Sequence, residues 1–549
     1  MTAESDQDGK NEGDPGRQAA SARLELALAA GDMTAAVALA EERLAQGERT
    51  PLLLNLRAFK AEAEGRWADA LLDLRDAHAL APTEVSVLNA LGLGLMRMDL
   101  HEEAVWAFSR ATTGAPDFAQ AWNNLGVAQM ALAHVAAAKT SFEQAAGLEP
   151  GFAEPRGHLA RMAARRGDFD AARTAAAEAL NVKPNLSEAV QALAEVELAA
   201  GRPVEAEFRI RQLLDDPGLG PHGRYQATGL LGDSLDRQRR YPEAFAAYSA
   251  ANKTLRNAYA ARFEHGGLLE LIEGLRRNFQ QTWPRDMPRD RPESRSDAAR
   301  QHVFLIGFMR SGTTLIEQVL AAQPDAVTME EKEALNAGVM EFLSRPDGMA
   351  RLVTAEEQTL DHNRSEYWSR VRSQGIDYTD KIFVDKMPFN GLRLPLIYRL
   401  FPDAKIIYTV RDPRDVIFSC FKHRFAVTPY TYQLLDLATA VRFYDAYMRS
   451  VESFRFLPSL QMHSYRHEDL VGDFDSEVRA ICDFLGLTWN ETMRDVGWRA
   501  RQGLVASPSA RQLLNGLTVD GLRQWRRYEA QLAPFYPGLE RWVRRYGYD

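Results

Sequence analysis

The sequence has few cysteines, no long apolar stretch and no excess of basic residues. Cys420 and Cys482 can form one bridge at most, which excludes a disulfide framework and gives no pattern for a zinc site. No run of about 18 apolar residues is present, so we expect no membrane span. The first ten residues are polar and no signal-peptide apolar region follows, which predicts a cytoplasmic protein. The net charge of −9 argues against nucleic acid as a partner, so any anion site must be local.

A period of 34 residues dominates the N-terminal half. Prolines recur with this step at Pro82, Pro116, Pro150 and Pro184. Small and aromatic residues keep the same step, at Ala104, Ala138, Ala172 and Ala206, and at Phe108 and Phe142. Three units lie in register over 84–185, and weaker matches extend over 18–83 and 186–256. The pattern resembles the tetratricopeptide repeat, which implies an all-α solenoid over 18–256 with about seven units.

The resemblance implies a concave groove in which a peptide or protein docks. Asn123 and Asn124 suit contacts with a peptide backbone, although a solvated surface explains them equally well. The alternative is that the array only shapes the chain or dimerises it, so a homodimer stays open. The array is flanked by a polar segment, 1–17, predicted to be disordered, and by a helical connector and proline-rich linker over 257–300.

The C-terminal half, 301–549, opens with a turn suited to an anion. Four apolar residues, 303–306, end at Gly307, and a helix is predicted from about Thr314. Amide groups at a helix start attract anions, and Arg310 adds a fixed charge. Gly307 and Gly312 have the spacing of a P-loop, but Thr313 occupies the position of its lysine. A phosphate-like anion is therefore favoured over ATP with magnesium.

Three further strands are predicted at 382–384, 405–410 and 461–465, with helices between them. This alternation predicts a parallel sheet with helices on both faces, an α/β fold. Arg310, Lys386 and Arg411 each follow a strand, so we expect them to meet at the carboxyl edge of the sheet, where ligands bind in such folds.

Five motifs in this half, in this order, resemble those of sulfotransferases. They are Gly307–Leu315, Asp385–Asn390, Val410–Arg414 with Ser419, Glu468–Val471, and Asp483–Gly486. The resemblance covers about 300–549 and is strongest to tyrosylprotein sulfotransferases and to bacterial sulfotransferases with tetratricopeptide repeats. It implies the donor 3′-phosphoadenosine-5′-phosphosulfate (PAPS), no metal, and transfer of a sulfuryl group to a hydroxyl.

The resemblance also implies the donor-binding residues. The turn would hold the 5′-phosphosulfate through Arg310, Ser311, Gly312, Thr313, Thr314 and Leu315. Arg411 and Ser419 would hold the 3′-phosphate, helped by His423 or Arg424. The closing loop would contribute Ser509. Gln524 stands where a lysine is expected before Trp525, which leaves Arg523 or Arg526 to replace that lysine. His467 replaces an expected tyrosine.

The resemblance to tyrosylprotein sulfotransferases implies that Glu331 is the catalytic base, and Glu330 and Glu333 are the alternatives. Arg310, Lys386 and Ser509 complete the predicted catalytic set. Tyrosine of a docked peptide or protein is the favoured acceptor. The alternative acceptor is a carbohydrate or small-molecule hydroxyl. The alternative functions are a P-loop kinase or nucleotidase, in which Asp385 binds magnesium, and an inactive docking protein.

Overall fold

The computed structural model describes residues 15–264, 267–285, 287, 298–502, 513–514 and 516–548. The chain divides into two compact units, one formed by Met1–Met162 with Ala175–Leu186 and the other by Ala163–Thr174 with Ser187–Asp549. Most of the segment predicted to be disordered, residues 1–14, lies outside the described residues. No described helix is long and apolar enough to cross a membrane.

The N-terminal half is all-helical, as the 34-residue period predicts. Its helices are α1 Pro15–Ala29, α2 Met33–Ala45, α3 Pro51–Ala63, α4 Trp67–Leu80, α5 Val85–Arg97, α6 His101–Gly114, α7 Ala119–Ala131, α8 Val135–Leu148, α9 Ala153–Arg166, α10 Phe169–Val182, α11 Ser187–Ala199, α12 Pro203–Leu214, α13 Pro221–Arg237, α14 Tyr241–Phe263 and α15 Leu268–Thr282.

Small residues at fixed repeat positions let paired helices approach closely. A Cβ at Gly92 would lie 2.5 Å from the Phe108 ring, and one at Gly126 would lie 2.6 Å from the Phe142 ring. Both rings are fully buried. The periodic glycine and phenylalanine therefore form one packing unit, which confirms the repeat fold.

The C-terminal half contains a five-stranded, wholly parallel sheet. Its strands are β1 Gln301–Gly307, β2 Ala326–Glu330, β3 Ile382–Lys386, β4 Lys405–Val410 and β5 Gln461–Arg466, in the order β2-β3-β1-β4-β5. Four strands match the predicted ones. The fifth, β2, was not predicted, because it is a short edge strand of mixed apolar and polar residues.

Helices cover both faces of the sheet. They are α16 Thr313–Ala321, α17 Asn336–Gly338, α18 Gly348–Val353, α19 Glu357–Ser373, α20 Leu394–Leu400, α21 Pro413–Lys422, α22 Pro429–Tyr432, α23 Leu437–Phe454, α24 His467–Gly472, α25 Phe474–Leu485, α26 Trp498–Arg501, α27 Glu529–Leu532 and α28 Glu540–Arg545. A π-helical turn spans Val339–Leu343, and 3₁₀ turns span Pro388–Arg393, Gln433–Leu435, Glu491–Arg494, Gln524–Tyr528 and Ala533–Gly538.

One face of the sheet packs on α16 and α25. Its core includes Val303 and Leu305 of β1, with Ile316 and Val319 of α16, all fully buried. Because β1 is central and α16 follows it directly, this packing fixes the turn between them at the carboxyl edge of the sheet.

Candidate active site

The turn between β1 and α16 has the backbone of an anion cradle. Arg310 and Gly312 both have positive φ, 66° and 105°. A Cβ at Gly312 would lie 2.3 Å from Nδ1 of His467, so this close approach requires glycine. Ser311 is buried, and its Oγ has no hydrogen-bond partner among the described residues. A buried hydroxyl at a helix start is the donor that an anion would use.

Two arginines lie side by side at this cradle. Nε of Arg310 donates to Oγ of Ser419 at 3.2 Å, and a guanidinium nitrogen of Arg411 donates to the Arg310 carbonyl at 2.9 Å. Burial lowers the pKa of Arg310 to about 10, and the neighbouring charge of Arg411 contributes to the lowering. Because two like charges this close repel each other and Arg411 is buried, the arrangement favours an anion beside them.

The segment after Ser419 contains both residues that were predicted to help bind the 3′-phosphate, His423 and Arg424, and the two have different surroundings. A guanidinium nitrogen of Arg424 donates to Oδ2 of Asp233 at 2.9 Å, so Arg424 is engaged by a repeat helix. His423 stays beside the cradle, and burial, followed by the charge of Arg310, lowers its pKa well below the ordinary value. Nζ of Lys422 donates to Oε1 of Gln524 at 2.6 Å, so a cation does lie beside the position where a lysine was expected.

The predicted closing loop is described only in part. Ser509 lies outside the described residues. The Arg523 side chain is exposed, but its backbone N–H donates to Oδ2 of Asp415 at 2.6 Å, and Arg411 donates to the Gly521 carbonyl at 2.5 Å. These two hydrogen bonds hold the segment Gly521–Arg523 next to Arg411 and Asp415.

His467 lies against Gly312 of the cradle. Burial lowers the pKa of His467 to about 3, so its imidazole is neutral.

A buried cation lies at the end of β3, among three carboxylates. Nζ of Lys386 is 2.6 Å from Oε1 of Glu331 and 3.4 Å from an oxygen of Glu330 and of Glu317. Burial alone lowers the pKa of Lys386, but the charges of Glu317, Glu331 and Glu330 outweigh it and raise that pKa. Lys386 is therefore a protonated, positioned cation.

The three carboxylates predicted as candidate bases differ in their contacts and in their exposure. Glu333 pairs with Arg393 at 2.6 Å, and the Glu330 side chain is only 13% exposed. Glu331 is closest to Lys386 and its side chain is 41% exposed, which leaves it open to an acceptor. Its φ of 49° costs roughly 1–3 kcal/mol, a strain that clusters at functional sites. Its amide donates to the Lys386 carbonyl at 2.8 Å.

Asp385 is directed away from this cluster, onto the opposite face of the sheet. Its Oδ2 accepts from the hydroxyl of Tyr367 at 2.9 Å, and that hydroxyl contacts Nε2 of His302 at 2.8 Å. Burial raises the pKa of Asp385 to about 7. This carboxylate is a core group, which weakens its assignment as a magnesium ligand. No group of three or more His, Cys, Asp or Glu side chains in the described part of the chain is arranged to hold a metal.

Sequence reasoning missed several groups that support the site. Glu317 is fully buried, and burial raises its pKa to about 7, although Lys386 opposes the shift. The hydroxyl of Tyr447 contacts the carbonyls of Gly307 and Pro388 at 2.9 and 3.0 Å and so ties the ends of β1 and β3 together. Of Glu317 and Tyr447, only Glu317 had a signal in the sequence, namely its position on α16 one turn after the cradle.

Comparison with known proteins agrees with this geometry. The sulfotransferase family matches residues 302–491, and the tetratricopeptide repeat matches residues 119–152. An uncharacterized protein of Aquifex aeolicus is 24% identical over 358 residues, which are 62% of this chain and 45% of that protein. A putative protein-tyrosine sulfotransferase of Caenorhabditis briggsae is 26% identical over 198 residues, 35% of this chain and 68% of that protein.

A further relative, the omega-hydroxy-beta-dihydromenaquinone-9 sulfotransferase of Mycobacterium bovis, is 28% identical over 132 residues, 22% of this chain and 34% of that protein. The chain thus spans less than half the length of the Aquifex and Mycobacterium relatives. Residues 302–491, in the α/β domain, are thus similar to the sulfotransferase family, and residues 119–152 are similar to the tetratricopeptide repeat.

Proposed function

We propose that this protein transfers a sulfuryl group from PAPS to a hydroxyl, with tyrosine of a peptide or protein as the favoured acceptor. The observation that carries the proposal is the partly buried contact of Arg310 with Arg411 and Ser419, together with the Lys386–Glu331 pair. Cations for a doubly anionic donor and a carboxylate for an acceptor proton thus meet at one edge of the sheet.

The residues present suit this donor. When bound, PAPS would supply an activated sulfuryl group on a phosphate leaving group. The amides and hydroxyls of Ser311–Leu315 would bind the 5′ end at the α16 N-terminus. Arg411 and Ser419, with His423 beside them, would bind the 3′-phosphate through charge-assisted hydrogen bonds. His467 would support Gly312 from below, and Arg523 would lie at the closing segment.

Glu331 would act as the general base. Lys386 holds one of its oxygens at 2.6 Å, which orients the carboxylate. The other oxygen is then available to accept the proton of the attacking hydroxyl. Lys386 and Arg310 would stabilise negative charge as it develops on the transferring group and on the leaving oxygen. Positioning and charge stabilisation would dominate, as in phosphoryl transfer.

Tyrosine is favoured as acceptor on two grounds. A relative at 26% identity carries the name of a protein-tyrosine sulfotransferase. A repeat array upstream of the domain suits a peptide or protein substrate. A small-molecule hydroxyl is the competing acceptor, and the name of the Mycobacterium relative, an omega-hydroxy-beta-dihydromenaquinone-9 sulfotransferase, supports it.

Isothermal titration with 3′-phosphoadenosine-5′-phosphate, against ATP with magnesium, tests the donor. We expect the first to bind in the micromolar range or tighter and the second to bind weakly. Binding of ATP with magnesium alone would favour a kinase or nucleotidase, and binding of neither would favour a docking protein. Transfer of ³⁵S from labelled PAPS to tyrosine peptides, saccharides and simple phenols then tests the acceptor.

A further inference from the structure

Two repeat helices, α13 and α14, belong to the same compact unit as the sulfotransferase domain. They pack on the part of α21 that carries Ser419 and on the 3₁₀ turn Gln524–Tyr528. The rings of Phe245 and Phe421 stack with centroids 5.6 Å apart, and the ring centroids of Tyr248, on α14, and Phe418 are 6.4 Å apart. The contact is therefore an apolar core.

Polar contacts then fix the backbone that follows Ser419. Nδ2 of Asn252, on α14, donates to the Phe421 carbonyl at 2.8 Å in a buried position. Asp233, on α13, accepts from Arg424 through Oδ2 and from the hydroxyl of Tyr248 through Oδ1 at 3.0 Å. Both ends of the four-residue segment Phe421–Arg424 are thus held by repeat helices.

Charge explains why repeat helices are needed here. Four cations, Arg310, Arg411, Lys422 and Arg424, lie at this segment. Burial and then the charges of Arg310 and Arg411 lower the pKa of Lys422, although Asp236 and Asp233 oppose this, and Arg310, Arg424 and Lys422 all act on the neutral His423. In the absence of a bound anion, their repulsion would spread the segment. Asp233 and Asp236 of α13 supply negative charge at the rear of this cluster, where both act on Lys422. The carboxylates hold the cations in place without occupying the front of the cradle.

We propose that α13 and α14 build one wall of the donor site, and that Asn252 and Asp233 are positioning residues for its 3′-phosphate half. The inference rests on the proposed function. Asn252 sets the backbone two residues after Ser419, and Asp233 withdraws Arg424 so that Ser419 and His423 face the anion. The repeat array would then contribute to donor binding in addition to any docking of an acceptor.

The test uses the full-length Asn252→Ala variant, which changes no charge. We expect its affinity for 3′-phosphoadenosine-5′-phosphate to fall roughly tenfold, the effect of losing one buried hydrogen bond that sets a charged contact. Affinity for adenosine 5′-phosphate, which lacks the 3′-phosphate, should be unchanged. The matched control is Gln191→Ala, which truncates another buried amide of a repeat helix, bonded within that helix to Ser187. It should affect neither affinity.

Wild-type affinity for both nucleotides in Asn252→Ala would overturn the inference. Failure of the wild-type protein to bind 3′-phosphoadenosine-5′-phosphate would instead overturn the proposed function, so the two failures are distinct. If Asn252→Ala does not fold, Asp233→Asn provides the second test, because that side chain is partly exposed. Loss of a carboxylate by itself would raise the preference for 3′-phosphoadenosine-5′-phosphate over adenosine 5′-phosphate. A lowered preference in Asp233→Asn therefore supports a positioning role for Asp233, and a raised preference contradicts that role.

Discussion

At the scale of single residues, the proposed chemistry depends on the pair Glu331–Lys386. We expect Glu331→Gln to lower sulfuryl transfer by about 10²–10⁴-fold, the usual effect of removing a general base. Binding of 3′-phosphoadenosine-5′-phosphate should be nearly unchanged, because the glutamine oxygen still accepts from Lys386. The measurements are ³⁵S transfer and isothermal titration. Glu333→Gln is the control, since Glu333 pairs with Arg393. Normal turnover in Glu331→Gln would show that the base is misassigned.

Asp385 gives a pH dependence of stability whose sign is fixed by burial. Burial raises its pKa to about 7, so between about pH 4 and 7 the folded protein keeps a proton that the unfolded chain releases. This contribution is complete at low pH and is lost as pH rises through 7. Asp385→Asn removes the contribution of Asp385 and leaves that of Glu317, so at pH 8 we expect the variant to be more stable than wild type by roughly 1–4 kcal/mol.

Urea unfolding at pH 5 and pH 8 measures this difference. Asp380→Asn, an exposed carboxylate just before the same strand, serves as control and should follow wild type. Equal pH dependence in Asp385→Asn and wild type would mean that Asp385 is not a source of it.

At the scale of elements, two hydrogen bonds to one carboxylate join α21 to the segment Gly521–Trp525. The Asp415 carboxylate accepts from the backbone N–H groups of Arg523 and Trp525 at 2.6 and 3.0 Å, and it is buried. Asp415→Ala leaves both donors unpaired. We expect it to weaken 3′-phosphoadenosine-5′-phosphate binding roughly tenfold and to speed proteolysis near 521. Asp520→Ala, an exposed change in the same segment, should do neither. An unchanged nucleotide affinity in Asp415→Ala would contradict the role of this tie.

The elements also show what the sequence alone could predict. The approach of Arg310, Lys386 and Arg411 to one another was predictable because each lies at the end of an apolar strand or shortly after it, and parallel strands end at one edge. Strand β2 was not predictable, since an edge strand needs no continuous apolar run. The pairing of Arg424 with Asp233 was not predictable either, because the two residues lie 191 positions apart and neither stands out in its own segment.

At the scale of the whole molecule, the compact unit that holds the candidate active site also includes residues that precede the sheet. The sequence predicts a boundary at 282–300, within a connector over 257–300, and this unit includes residues from Ser187 onward. Removing α11–α14 would expose Phe418, Phe421 and Tyr528. Large exposed apolar patches of this kind lead to aggregation.

Two fragments test which boundary is functional. We expect 187–549 to be soluble, to unfold cooperatively and to bind 3′-phosphoadenosine-5′-phosphate like the full chain. We expect 267–549, which keeps α15 but lacks α11–α14, to aggregate or to lose nucleotide binding, because the segment after Ser419 would lose both Asn252 and Asp233. Size-exclusion chromatography, thermal unfolding and isothermal titration measure the three properties. A monomeric 267–549 with full affinity would show that the repeats serve only the acceptor, and the donor site would then be complete without them.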